Sequence, residues 1–318
     1  MTSRAAMPSY PGTKLGKSYE VHFVPNSDLL VCVGQKIKLR QRLGREHVTD
    51  ARPFSHPSHC AVAPDASSLA VKNTSGAIAL LELPTLQLLW VRPPAKEGCQ
   101  LLFSPCGDYL ITGSWNGELI RLETASGAAL LLDHAAGSMV QWLSQSGDRL
   151  RYAYVKQPIA VDRTSPPGNS IVTLRSWPFD TQPEQRLTGS WRFIKAAEIS
   201  PDGLWLAVLH QLKGATFQVD IVDLSSERVL SSAPVTFGGS NFSLAWSPDG
   251  LHLACVRGGG VTLFDAPSLR IASEVACAYA CHVAFSPDGQ FLAIGAWEQG
   301  TVKRMTDLLT LQGTAASV

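Results

Sequence analysis

A short turn motif recurs along this chain at intervals close to 40 residues. Its clearest copies read FSPCG, ISPDG, WSPDG and FSPDG, and three weaker relatives bring the number of units to seven. The anchor positions of the units are Pro25, Pro64, Pro105, Gln145, Pro201, Pro248 and Pro287. The gaps between successive anchors are 39, 41, 40, 56, 47 and 39 residues. Because self-similarity at a fixed period of roughly 20–50 residues marks a repeat architecture, we predict seven similar structural units.

A leucine stands five residues after every anchor. These leucines are Leu30, Leu69, Leu110, Leu150, Leu206, Leu253 and Leu292. The residue two before the anchor is apolar in all seven units, and the residue four before is apolar in most, which is the alternation of a strand with one buried face. Proline followed by Asp-Gly suits a tight turn. Each anchor is therefore predicted to join two antiparallel strands, a and b, and all seven leucines are predicted to be buried.

A second turn with glycine follows strand b and precedes another alternating strand, c, for example GELIRL from Gly117. A fourth apolar run, d, completes several units. Four antiparallel strands in roughly 40–45 residues are the size of one propeller blade. The predicted fold is therefore all-β, a seven-bladed β-propeller, with an N-terminal arm at 1–16 and one domain at 17–318. The outer strand of the last blade comes either from that arm or from the C-terminal LLTLQG.

The segment FSPCGDYLITGSWNGELIRLE, residues 103–123, resembles a WD-repeat blade, whose phrase runs from a Ser-Pro-Asp-Gly turn to a closing Trp-Asp. The resemblance extends over about residues 17–312. The closing Trp-Asp is replaced in every unit, by Leu122-Glu123 in this one, so the chain is similar to divergent, bacterial-type WD-repeat proteins. The resemblance implies a propeller that serves as a scaffold for protein binding and has no chemistry common to the family.

Charge and cysteine content narrow the classes of partner and compartment. The net charge is +1, and no run of five like charges occurs, so we expect no nucleic-acid partner. The sequence has neither the apolar stretch of a secretory signal nor a segment of roughly 20 apolar residues, so we expect a soluble protein with no membrane partner. Seven scattered cysteines are typical of reduced thiols. We therefore expect a cytoplasmic protein that is monomeric on its own.

Residues that could carry out catalysis or bind a metal or cofactor are interpreted as structural. The recurring turn aspartates are Asp202, Asp249 and Asp288, and a closed ring spreads them around one rim, so they are interpreted as turn residues. Cys277, Cys281 and His282 lack both the spacing of a haem attachment site and the second half of a zinc site. The sequence also contains no phosphate-binding loop and no nucleophile elbow. We predict no catalytic residue, no metal ligand and no cofactor.

The b–c turns carry the residues predicted to bind a partner. Trp115 and Trp297 each lie in such a turn, where a large ring is difficult to bury, and tryptophan is enriched in binding hot spots. Long connections follow strand b in the fourth and fifth units and supply further candidates, namely Arg163, Pro166, Pro167 and Lys213. All b–c turns emerge at one end of a propeller. We therefore expect another protein to bind there, centred on the third to fifth units.

Two classes of function remain. The first is a non-catalytic adaptor or inhibitor, and its narrower version is a bacterial immunity protein that neutralises a cognate toxin. The alternative is a lactonase-like propeller hydrolase with a site at the mouth of the central channel. Polar residues near the starts of the a strands are His22, His59, Glu198 and His282, but the sequence assigns no catalytic role to any of them.

Overall fold

The computed structural model describes residues 12–42, 47–159, 168–178, 183–212, 216–236 and 242–310. Seven β-sheets stand side by side. In six of them four strands pair in sequence order, so that each sheet is an antiparallel meander. The first strands of successive sheets contact each other, and the first strand of the last sheet contacts that of the first sheet. The sheets therefore form a closed ring, and the predicted seven-bladed β-propeller is confirmed.

The chain begins with β1 (Thr13–Ser18). The first three blades are β2 (Glu20–Phe23), β3 (Leu29–Val33), β4 (Ile37–Gln41) and β5 (His47–Ala51); β6 (Pro57–Val62), β7 (Ser68–Asn73), β8 (Ile78–Glu82) and β9 (Leu88–Arg92); and β10 (Leu101–Phe103), β11 (Tyr109–Gly113), β12 (Glu118–Glu123) and β13 (Ala129–His134). The fourth and fifth are β14 (Ser138–Gln145), β15 (Arg151–Pro158), β16 (Ile171–Ser176) and β17 (Gln185–Thr188); and β18 (Ile194–Ile199), β19 (Trp205–Gln211), β20 (Phe217–Asp223) and β21 (Val229–Val235). The sixth blade is β22 (Leu244–Trp246), β23 (His252–Arg257), β24 (Gly260–Asp265) and β25 (Arg270–Ala276), and β26 (Ala280–Phe285), β27 (Phe291–Arg304) and α1 (Met305–Thr310) follow. Within the described ranges, no helix has the length and apolarity needed to cross a membrane.

The seventh blade is built from both ends of the chain. β27 folds back on itself to supply strands b and c, and the backbone N–H of Met305 donates to the carbonyl oxygen of Gln290 at 2.8 Å. β1 pairs antiparallel with the second arm of β27, with Thr13 opposite Val302, and forms the outer strand. β1 thus crosses the boundary that the repeat pattern placed after residue 16. The N-terminal strand, rather than the C-terminal segment, closes the ring.

The apolar core lies between the blades. Among the described residues, seven clusters of buried side chains each combine two neighbouring blades, and the seventh blade packs on the first in the same way. Six of the seven predicted leucines are fully buried in these clusters or beside them, namely Leu30, Leu69, Leu110, Leu206, Leu253 and Leu292. Each blade therefore depends on its neighbours for burial, as expected of a repeat protein.

The fourth blade departs from the predicted register. Leu150 is 51% exposed, whereas Tyr152, two residues later, is fully buried. Tyr152 lies opposite Gln145 in the a–b pair, as Leu206 lies opposite Ile199 in the fifth blade. The prediction that all seven leucines are buried was therefore wrong for Leu150, and the anchor of this unit lies two residues after Gln145.

The turn of the fourth blade explains this shift. The hydroxyl of Ser146 donates to Asp148 Oδ1 at 2.5 Å, and the backbone N–H of Leu150 donates to the same oxygen at 2.9 Å. Gly147 occupies the place of the usual proline, and Arg149 occupies the place of the usual glycine with a φ of 60°. The sequence alignment slipped because both residues that mark the turn have changed, while the serine and aspartate that make its hydrogen bonds remain.

The other turn aspartates make the same contacts. In the fifth, sixth and seventh blades a serine hydroxyl donates to the turn carboxylate at 2.5 Å. The backbone N–H two residues after the aspartate donates to the same oxygen at 3.0 Å. The residues concerned are Asp202, Asp249 and Asp288. Their interpretation as turn residues is confirmed.

A buried polar network lies in the fifth blade. Asp220 Oδ2 is 2.9 Å from His210 Nε2 and accepts a hydrogen bond from Trp191 Nε1 at 3.1 Å, while Ser232 Oγ donates to Oδ1 at 2.7 Å. Burial by itself would raise the pKa of Asp220, but the hydrogen bonds from His210 and Ser232 lower it to about 2. The network links the connection before β18 to β19, β20 and β21 of the same blade.

Candidate functional site

A cavity opens at the centre of the end of the ring that carries the b–c turns, which we call the b–c face. Its volume is about 580 Å³. The b–c turns of the first, second and seventh blades contribute Gln35, Thr74 and Trp297 to its wall. The first strands of the blades contribute Glu20, His59, Trp142 and His282, and Gln100 lies immediately before β10. The cavity is therefore the mouth of the central channel.

The polar residues of the channel repeat at fixed positions in the first strand of each blade. Glu20, His59 and His282 each stand five residues before their turn anchor. They belong to the first, second and seventh blades, which are consecutive in the closed ring. His22 and Glu198 stand two residues further along their strands, on the same strand face, because strand side chains alternate. The repeat thus brings Glu20, His59 and His282, which are distant in sequence, to one side of the channel.

Glu20 lies at the centre of a cluster of three histidines. Its Oε1 is 2.5 Å from Nε2 of His22, and its Oε2 is 2.9 Å from Nδ1 of His59. The backbone N–H of Cys60 also donates to Oε1, at 2.8 Å. The ring of His282 lies 5.0 Å from that of His22, measured between centroids. The Glu20 side chain is 5% exposed, whereas the His22 and His59 side chains are 28% and 29% exposed.

The electrostatics of this cluster follow from its enclosure. Burial by itself would raise the pKa of Glu20, but the hydrogen bonds shared with His22 and His59 hold it well below its ordinary value. Enclosure in the channel lowers the pKa of His282 to about 3, although the nearby Glu20 carboxylate opposes the shift. Near neutral pH the cluster therefore combines an ionised carboxylate with a neutral imidazole at His282.

A second carboxyl lies on the far side of the channel. Glu198 accepts hydrogen bonds from Ser144 Oγ at 2.8 Å and from Trp142 Nε1 at 3.0 Å. Burial raises the pKa of Glu198 to about 7, against the lowering effect of these two bonds. Together with His22 and His282 it lines a cavity of about 640 Å³ on the opposite end of the ring. The channel thus holds two carboxyls with contrasting ionisation.

Exposed aromatic rings border the cavity on the b–c face. Trp297 is 45% exposed, and its ring packs against that of Tyr19 at 4.1 Å between centroids. The backbone N–H of Trp297 donates to the carbonyl oxygen of Tyr279 at 3.1 Å, and Tyr279 is itself 63% exposed. We call Tyr19 and Trp297, whose rings are in contact, the aromatic cluster. It fixes one large ring beside the channel mouth.

Of the residues predicted to bind a partner, the structure describes Trp115 and Trp297, which lie in b–c turns of different blades. Trp115 is 44% exposed in the b–c turn of the third blade, on the same face as Trp297, but it does not line the cavity. Trp297 belongs to the seventh blade and lies at the channel mouth. The other predicted contact residues fall outside the described ranges: Arg163, Pro166, Pro167 and Lys213.

Glu20 is the central residue that the sequence did not single out. The signal was present, because Glu20, His59 and His282 share one register position, five residues before the anchor. Of these three residues, only His59 and His282 are among the predicted polar residues near the strand starts. Trp142 was hidden as well, since the slipped register of the fourth blade moved it to a different column. A comparison of the position five residues before the anchor in all seven blades identifies both Glu20 and Trp142.

Comparison with known proteins supports the architecture. Residues 98–120, in the third blade, match the family "WD domain, G-beta repeat". No curated protein sequence matches the chain. Among solved structures, the chain resembles one titled Kuenenia stuttgartiensis Hydrazine Synthase with a TM-score of 0.77 and 14% identity, over 96% of this chain and 99% of that one. At this level of identity the likeness shows the fold alone.

Proposed function

The chain is a WD-repeat-like seven-bladed β-propeller, and we propose that it is a non-catalytic binding protein that holds another protein against its b–c face. WD-repeat propellers generally bind other proteins, which makes an interaction scaffold the expected class. The observation that carries the proposal is the position of Trp297, exposed at the rim of the central cavity and packed on Tyr19. An aromatic ring held in one orientation loses little conformational entropy when it binds.

The surroundings of the aromatic cluster fit a protein partner. The cavity beside it can accept a protruding loop, and large aromatic side chains at the edge of a concave site are typical of binding hot spots. The cations Arg52 and Lys195 also line the cavity, and Lys195 Nζ lies 3.8 Å from the centroid of the Phe193 ring. An acidic loop of the partner would be attracted to these positive charges.

The narrower form of this proposal is a bacterial immunity protein. Such an inhibitor would accept a loop of its toxin in the channel mouth, or would cover the active site of the toxin with its b–c face. We further propose that the protein acts in the cytoplasm as a monomer until its partner binds. Six buried free thiols suit a reducing compartment.

Binding measurements on three single variants test the proposal. The tagged protein is purified from its native host, a stoichiometric partner is identified, and the affinity of that partner is measured for each variant. Trp297→Ala should weaken binding by at least ~2 kcal/mol with little change in the thermal midpoint. Trp115→Ala tests whether the partner extends to the third blade. Leu251→Ala is the control on the opposite face, where this leucine is 60% exposed.

The pattern of losses decides between surfaces. Loss of affinity in Leu251→Ala with full affinity in Trp297→Ala would place the partner on the opposite face and contradict the proposal. The absence of any stoichiometric partner would contradict protein binding itself and favour the second candidate function.

That second candidate is a lactonase-like hydrolase, favoured by the pairing of Glu20 with His59. A carboxylate that orients an imidazole is the arrangement of a general base. Hydrolysis of a simple lactone and of p-nitrophenyl acetate would be measured for the parent and for His59→Ala. A hydrolase predicts a loss of kcat/KM of roughly 100-fold or more in the variant. Equal rates in both proteins, or no activity in the parent, would rule this candidate out for these substrates.

A further inference from the structure

We propose that Glu20, His22 and His282 form a binding site for one divalent transition-metal ion of the Zn²⁺ class. One ligand atom from each residue lies within 4.8 Å of the other two. Two imidazoles and one carboxylate are a donor set that such ions favour, whereas Ca²⁺ and Mg²⁺ prefer sites made of oxygen atoms. This site goes beyond protein binding, and its test requires no partner.

The ligands are held by the fold before any ion binds. Glu20 and His22 lie on β2, two residues apart and on the same strand face, and His282 lies on the neighbouring first strand, β26. The backbone N–H of Val21 is 3.4 Å from Nδ1 of His282, which ties the two strands at this level. Ligands on packed strands hold their geometry better than ligands on loops.

His59 acts as a positioning residue in this proposal. Its Nδ1 is 2.9 Å from Oε2 of Glu20, while Oε1, the other carboxylate oxygen, lies 2.5 Å from His22. A group that hydrogen-bonds a ligating carboxylate orients it and tunes its affinity for the ion. The backbone N–H of Cys60 adds a second fixed contact to the same carboxylate.

An ion could reach the site from water, and one side of it would stay open. Glu20, His59 and His282 line the cavity of the b–c face, and His22 and His282 line the cavity of the opposite face. The cluster therefore lies where the two cavities approach each other. Three protein ligands with an open position are typical of a metal that binds a further ligand.

Metal titration of tag-free protein stripped with EDTA tests the proposal. We expect one Zn²⁺ per chain by calorimetry and visible absorption bands when Co²⁺ is added. Removal of a ligand in His22→Ala, His282→Ala or Glu20→Gln should weaken Zn²⁺ binding by roughly 100-fold or more. His59→Ala should weaken it about 10-fold, as expected for a residue that only orients a ligand. His134→Ala, which removes an exposed histidine on β13, should bind Zn²⁺ as the parent does.

Several outcomes would overturn the assignment. No Zn²⁺ or Co²⁺ binding by the folded parent removes the site, whatever the variants do. Equal affinity in the parent and the ligand variants places the ion elsewhere. A near-ultraviolet charge-transfer band with Co²⁺ would assign the ion to a cysteine thiolate, and Cys106→Ser tests the exposed thiol directly. Circular dichroism of each variant separates loss of a ligand from loss of the fold.

Discussion

The carboxylate of Glu20 lies 2.9 Å from Nδ1 of His59, although the two residues belong to different blades. The same carboxylate also contacts His22 and the backbone of Cys60. Glu20 immediately follows β1 and Tyr19, where the outer strand of the seventh blade leads into the first. One buried side chain therefore links the second blade to the point at which the ring closes.

Removal of this carboxylate should destabilise the fold. Glu20→Ala leaves the Cys60 N–H without its acceptor and breaks both histidine contacts, so we expect a loss of about 2–3 kcal/mol, as for buried hydrogen bonds to a charged group. Urea unfolding at pH 7 in the presence of EDTA measures this change in the free energy of unfolding. Glu123→Ala, at an exposed position, is the control and should change stability by less than about 0.5 kcal/mol. Equal stability of the two variants would contradict a structural role for Glu20.

The repeat register predicts which leucines are buried in the core and contribute to its stability. Leu110 and Leu253 are fully buried, so their replacement by alanine should cost about 2–5 kcal/mol. Leu150→Ala is the matched control from the same sequence column, and because Leu150 is 51% exposed it should cost less than about 0.5 kcal/mol. Chemical denaturation of the three variants gives these differences. Losses below about 1 kcal/mol at both buried positions would refute the register.

Glu198 should make stability depend on pH. Its pKa is about 7 in the folded protein and near the ordinary 4.5 in the unfolded chain, so the folded state binds the extra proton between these values. Stability should therefore fall as the pH rises from about 4.5 to about 7, and should stay low above that range. Glutamine resembles the protonated carboxyl, so Glu198→Gln should exceed the parent by up to ~3 kcal/mol at pH 8.

Urea unfolding of the parent and of Glu198→Gln at pH 4.5, 6 and 8 measures this difference. The two proteins should converge at pH 4.5, because the parent carboxyl is then largely protonated in the folded state. A constant difference across the three pH values would show that Glu198 does not titrate in this window.

Thiol reactivity should distinguish one cysteine from the other six. Cys106 is exposed, and burial raises the pKa of Cys32 and Cys99 to about 11 and that of Cys255 to about 12. Because the thiolate is the reactive form, a colorimetric thiol reagent should titrate about one group in the native protein. All seven should react after unfolding without reductant. A count of five or fewer in denaturant would reveal a disulfide and contradict the reducing compartment.

The sequence by itself determined the number of blades and most of the a–b hairpins. These features depend on contacts between residues close in the chain, such as the Ser200–Asp202 hydrogen bond in the turn and the alternation that buries Leu206. The turn and the alternation are each encoded in a window of about ten residues. Their repetition along the chain supports the predicted blade boundaries. The fourth blade shows the limit, since Gly147 and Arg149 replaced the two residues by which the turn is recognised.

The tertiary structure alone decided how the ring closes and which side chains meet in the channel. Both chain ends offered a strand for the seventh blade, and the choice of β1 depends on pairing between residues almost 290 positions apart, such as Thr13 and Val302. Lys72 shows the same dependence, because it is buried in the interface with the third blade, where its Nζ donates to the Gly113 carbonyl oxygen at 2.8 Å. Glu20 and His282 come together for the same reason. Closure of the ring makes the first and last blades neighbours, and no local pattern in the sequence records that contact.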